Sequence, residues 1–157
     1  MGFAHRHGSR LRHIILDGIK SWFSVLRGLC VEDKCGRSFT ILTATMLPYK
    51  HYPAQVIESA VESFERGKPV NEVASCAEES TLRRWRRQFK AILPGLCGQL
   101  QVVVKYMTRK DPALCEYAKT YIARLKIHLE TLGYADSGHT VLGRTFLKTA
   151  AYHVCVG

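Results

Sequence analysis

Hydrophobic and polar positions divide the chain into three stretches with different periods. From residue 5 to 43 the pattern favours strands: RLRHIIL leads into Asp17-Gly18, and IKSWFSVLRGL follows. A DG pair between two apolar-rich runs predicts a tight hairpin, because Asp and Gly tolerate the positive φ that a two-residue hairpin turn requires. CVEDKCGRSFTIL then predicts a second turn and a short strand, and Leu47-Pro48-Tyr49 breaks the pattern and reads as a linker.

The period changes after residue 53. Val56, Ile57, Ala60, Val61 and Phe64 recur at helical spacing, with Pro53 suited to a helix start and Gly67 to its stop. Lys68-Pro69 turns the chain, and Val70 to Ser75 has the length of about two helical turns. A further helix is predicted from about Ser80 to Ile92, ended by Pro94-Gly95. Residues 99–157 read as helical. Asp111-Pro112 looks like a cap followed by proline at the first helical position, and Tyr117, Tyr121, Leu125 and Leu129 fall on one stripe that ends near Gly133. One more helix is expected from about Arg144. The resulting expectation is an α+β chain: a β-ribbon over 1–47, a tri-helical unit over 48–95 and a helical segment over 96–157.

The third helix of that unit carries the candidate chemistry. Leu82, Trp85, Phe89 and Ile92 lie three or four residues apart and share one face, and Arg83, Arg84, Arg86, Arg87 and Lys90 take the rest. Adjacent like charges weaken a helix unless a polyanion neutralises them. The planar guanidinium fork suits phosphate, to which it donates two parallel hydrogen bonds. The long helix, short helix, turn and basic helix fit a helix-turn-helix whose second helix enters the major groove. Residues near the start of such a helix read bases, which makes Ser80, Thr81, Arg83 and Arg84 candidates for base contact. Arg86, Arg87 and Lys90 are then candidates for backbone contact. Glu78 and Glu79 favour a helix N-terminus and suit a capping role.

Composition agrees with an anionic partner. The 157 residues carry a formal net charge of +10 with 46% apolar residues, a globular content whose charge favours nucleic acid first and an acidic membrane surface second. No apolar run reaches the ~20 residues that span a bilayer, and the basic N-terminus has too short an apolar stretch for a secretory signal. A cytoplasmic location is therefore expected, where Cys30, Cys35, Cys76, Cys97, Cys115 and Cys155 would stay reduced. Only Cys30 and Cys35 are close together. No Gly-rich phosphate loop and no nucleophile with a positioned base appears. His128, His139 and His153 are scattered, so a non-enzymatic role is expected.

The order HGS…LDG…C…CGRSFTIL…LPYKHYP…VNEVA…TLRRWRRQF, over roughly residues 5–92, resembles a bacterial group of transposase-related proteins. These combine an N-terminal zinc ribbon with a helix-turn-helix. The resemblance implies a duplex DNA-binding protein of mobile-element origin. Cys30 and Cys35 match the second cysteine pair of the ribbon, and the first pair is absent. That absence fits a degenerate ribbon or a chain with a misassigned start. A tetrahedral zinc site takes four ligands, and His5 and His7 are the residues that would complete one. The sequence also departs from the family's turn, with Cys76 where glycine is usual and Glu78 near a usual serine or threonine. Two other readings stand beside DNA binding. One is a helical protein-interaction module, with the Tyr117–Leu129 stripe as a homodimer seam. The other is a transposase fragment with no function of its own.

Overall fold

The computed structural model describes residues 4–31, 35–43, 45–48, 50–109, 117–134 and 140–145. The chain is α+β: a three-stranded antiparallel sheet is followed by helices. Strands β1 (Ala4–Leu16) and β2 (Ile19–Cys30) form the expected hairpin, closed by the Leu16↔Ile19 pair. Asp17 and Gly18 have φ of 48° and 79°, the two successive positive values of the mirror-image type I turn. β3 (Ser38–Thr40) extends the sheet along the end of β2. Gly28 faces Phe39 there, and a Cβ at position 28 would lie 2.6 Å from the tip of the Phe39 ring. Any larger residue there would require the Phe39 ring to shift.

The expected linker is part of the packed structure. Leu47 is 1% exposed and Met46 is buried beside it. Met46 forms an isolated β-bridge with Pro53, and the Ala54 amide donates to the Thr45 carbonyl at 2.8 Å. Proline and tyrosine gave this stretch a linker's composition, but its apolar side chains fill the space between sheet and helices.

Helix α1 (Ala54–Glu65) buries Ala54, Ile57, Ala60 and Val61. The helix expected over Val70–Ser75 is only a single 3-10 turn, Val70–Glu72. Val73 is already extended, at φ −81° and ψ 112°, and turns its side chain into the core. Burying Val73 and Ala77 requires the chain to leave helical geometry before α2 begins. Cys76, standing where the family's turn usually has glycine, keeps a negative φ. Among the described non-glycine residues only Asp17 and Arg109 have positive φ.

Helix α2 runs from Glu79 to Thr108, straight through the expected stop at Pro94-Gly95. An interior proline costs a helix about 3 kcal/mol by removing one donor and crowding the preceding turn. The far side of Pro94 repays that cost. Leu96, Cys97, Leu100, Val103 and Val104 are all buried there, each worth roughly 1–3 kcal/mol. Residues on both sides of position 95 therefore share one core with α3 (Tyr121–Thr131), which contributes Ile122, Leu125 and Leu129. Of the expected interaction stripe, Leu125 and Leu129 are buried in this core, Tyr121 is half-buried and Tyr117 is exposed outside α3. The buried part of the stripe covers the protein's own interior. The Asp111-Pro112 cap lies outside the described residues. Residues 141–145 are helical, slightly earlier than the expected start at Arg144.

Two carboxylates of α1 tie in the C-terminal elements. Glu65 accepts from the Tyr121 and Ile122 amides at the start of α3, and Glu58 accepts from the Leu142 amide at 2.7 Å. Burial is the main reason the Glu58 pKa stands above its ordinary value, with help from neighbouring Glu62. A raised folded-state pKa makes the carboxylate's contribution most favourable in acid. It is lost as pH rises from the unfolded-state value through the folded one. Glu58→Gln, which keeps an oxygen for Leu142, is thus expected to raise the urea midpoint at pH 7 and leave it unchanged well below pH 4. A midpoint lowered at pH 7 would show that the charge itself stabilises the fold.

Candidate nucleic-acid interface

The basic segment divides cleanly on α2. Leu82, Trp85 and Phe89 are 4%, 1% and 2% exposed, whereas Ser80, Arg83, Arg84, Arg86, Arg87 and Lys90 are exposed and Thr81 is half-buried. The helical wheel read from sequence is therefore the one the core selects: the apolar residues anchor the rod and the cations stay in water. Ile92, placed on the same apolar face, is half-buried at its edge. Arg83 pairs with Glu79, its Nε and Nη2 donating to one carboxylate oxygen at 3.0 and 2.6 Å. Arg84, Arg86, Arg87 and Lys90 make no ion pair among the described residues.

The capping role given to the two glutamates is not taken up. Glu78 occupies the N-cap position without a side-chain hydrogen bond, and Glu79 is turned along the helix to Arg83. An exposed i,i+4 pair of this kind is worth only a few tenths of a kcal/mol. It holds Arg83 in place without committing it.

The basic surface extends beyond α2, to residues that sequence reasoning missed. The supposed linker carries Lys50 and His51 to the junction of sheet and helices. The Lys50 ammonium donates to Gln88 Oε1 on α2 and lies 5.8 Å from the centre of the Phe89 ring. Burial, and then the adjacent Arg84 guanidinium, hold the Lys50 pKa below its ordinary value. From the other side, Arg12 of β1 donates to the Lys50 carbonyl at 3.0 Å, and the Ile15 amide donates to the His51 carbonyl at 2.6 Å. Tyr52 stands edge-on to Trp85, ring centres 5.1 Å apart, and seats this junction on the core. Burial is the largest cause of the raised Tyr52 pKa, followed by nearby Cys76 and Glu78. Arg12, Lys50, Gln88 and Arg84 thus adjoin. The one signal in the sequence was a lysine and a histidine held among tyrosines and prolines in LPYKHYP.

Of the proposed metal residues, Cys30, Cys35 and His7 have described side chains. Cys30 ends β2 and Cys35 lies in the turn before β3, and both are thiols, half-buried. The strand register pairs Ala4 with Cys30 and His5 with Leu29, and His7 is an exposed residue at the irregularity between Arg6 and Ser9. Among the described residues no group of three or more His, Cys, Asp or Glu side chains could hold a metal ion. None of these described residues provides a helix long and apolar enough to cross a membrane.

No curated protein and no solved structure matches the chain. One family model matches residues 2–85, more than half of its length, from the hairpin through the junction and α1 to the start of α2. The chain therefore belongs to the family that this model describes, Domain of unknown function (DUF6431).

Proposed function

We propose that the protein binds duplex DNA through the exposed basic face of α2, laid in the major groove. Ser80, Thr81, Arg83 and Arg84 face base edges, and Arg86, Arg87 and Lys90 meet phosphates. The observation that carries the reading is the row of exposed guanidinium groups at Arg84, Arg86 and Arg87. None has an acidic partner among the described residues, and they lie on a helix whose opposite face is locked into the core by Trp85. Lys50 adds to it: an ammonium crowded by Arg84 gains from any anion that neutralises both. Arg83 is no obstacle, since a phosphate readily displaces an exposed carboxylate pair of small net worth. The 3-10 turn and the extended residues after it take the place of the second helix of a helix-turn-helix and deliver α2 against α1. The transposase-like order of motifs over residues 5–92 points the same way. The reading is of a cytoplasmic binding protein and not of an enzyme.

The test is a salt titration on random duplex. Affinity is expected to fall steeply with salt, since each neutralised phosphate adds about 0.9 to the log–log slope. Arg84→Ala combined with Arg87→Ala should weaken duplex binding about tenfold or more at moderate salt and flatten the slope by roughly two. Both side chains are exposed, so the thermal midpoint should barely move. Equal affinity of the double variant and the parent would refute the reading.

A further inference from the structure

One face of the hairpin has a specific make-up. His13 and Trp22 are directly opposed in the β1–β2 register, and Lys20 precedes Trp22 by two residues, so all three share the face. Trp22 is 61% exposed, a large apolar ring left in water. The Lys20 ammonium lies 5.4 Å from its ring centre, and the His13 ring stands beside it at 5.1 Å, inclined by 60°. His13 in turn stacks flat on His51, ring centres 4.1 Å apart at 3°. Lys20 is the cation set against Trp22 on this face, whereas Arg10, Arg12 and Arg27 alternate onto the opposite one, and the hairpin's one acid is Asp17 at the tip.

We infer that this face is a binding site for unpaired nucleotides, with the Trp22 indole as the stacking platform and Lys20 as a phosphate contact. An exposed aromatic ring beside a cation on a sheet suits single-stranded nucleic acid: each base offers a π-face, and the backbone brings a charge at every step. Duplex bases are stacked on one another and have no face to give an exposed indole, so this site is distinct in substrate from the α2 surface. The two are nevertheless continuous. Trp22, His13, His51, Lys50 and Gln88 form an unbroken run of contacts from the hairpin to α2. A single strand leaving a duplex held by α2 would pass directly onto the platform. An anionic bilayer is the poorer fit, because the exposed Leu16 and Ile19 at the hairpin tip flank its one acid, Asp17.

The test uses the full chain, a dT oligonucleotide of about twelve residues, a random duplex, and phosphatidylserine-containing vesicles. The chain has two tryptophans, and Trp85 is 1% exposed, so fluorescence quenching reports on Trp22. The dT strand is expected to quench the exposed signal. Read by the anisotropy of a dye-labelled dT strand, Trp22→Ala should weaken dT binding roughly 5- to 100-fold, the range for loss of one stacked base, whereas Trp22→Phe should retain most of the affinity. Duplex affinity should stay unchanged in both variants. Lys20→Gln should lower the salt slope for dT by roughly 0.7. Undiminished dT binding by Trp22→Ala overturns the inference, as does binding to vesicles in place of dT. The α2 reading stands or falls separately, on the duplex affinity of the Arg84/Arg87 variant.

Discussion

Replacing Trp85 by alanine is expected to lower stability by about 3–5 kcal/mol, the range for truncating a large buried aromatic. The ring is 1% exposed and lies in the middle of the cluster that joins α1 to α2. Its edge-to-face contact with Tyr52, at 5.1 Å, adds about 1 kcal/mol beyond buried area. A domain of this size has a total stability of only about 5–15 kcal/mol, so the loss is a large fraction of it. The hole would open under Tyr52, next to Lys50 and His51, where sheet and helices meet. Duplex binding should therefore fail together with the fold, in contrast to the arginine variants, which should lose binding alone. Urea denaturation followed by far-UV dichroism measures the first loss, and a midpoint change worth under about 1 kcal/mol would show that Trp85 is not the anchor. Trp85→Phe, which refills part of the hole, should recover a substantial part of the stability.

The second large effect is expected at Glu65. Its two carboxylate oxygens accept from the first amides of α3, Tyr121 at 2.6 Å and Ile122 at 3.1 Å, across more than fifty residues of chain. Those amides have no partner within their own helix, and a carboxylate at a helix N-terminus also meets the favourable end of the helix dipole. Hydrogen bonds to a charged group contribute about 1.5–3 kcal/mol each, and partial exposure of Glu65 places the pair toward the lower end. Glu65→Ala should thus cost about 2–4 kcal/mol. The loss should be local, because Thr120 still caps the Ala123 amide and α1 keeps its contacts with α2. Native-state hydrogen exchange is the informative measurement: protection should fall first in Tyr121–Thr131. Uniform loss across α1 and α2, or unchanged protection in α3, would contradict this account. Glu65→Gln, with one acceptor left, should fall between the two.

Local signals were reliable where the structure they specify is local. Asp17-Gly18 predicts the hairpin because the turn's two positive φ values depend on those residues alone. The 3.6-residue period of α1 and the amphipathic wheel of α2 were legible for the same reason: a helix face is defined within a dozen residues. The exposed arginines of the candidate interface were therefore visible as a row before any fold was known.

Errors arose where distant residues outvoted a local cue. Pro94-Gly95 is a stop signal whose cost the packing of Leu96, Leu100 and Val104 against α3 overrides. Val70–Ser75 has the length for two helical turns but gives them up to bury Val73. LPYKHYP looks like a connector only until Leu47 and Tyr52 are seen against the core, with the backbone of Lys50 and His51 accepting hydrogen bonds from β1.

The amino-acid order alone determined the hairpin, the amphipathic rods and the placing of guanidinium groups opposite an apolar stripe, because each is set by the chemistry of neighbours in the chain. Only the tertiary structure decided that α2 continues to Thr108, that two glutamates of α1 hold the C-terminal elements, and that Arg12, Lys50 and Arg84 share one surface. Each of those depends on contacts between segments far apart in sequence, whose free energy exceeds the local preference and cannot be read from it.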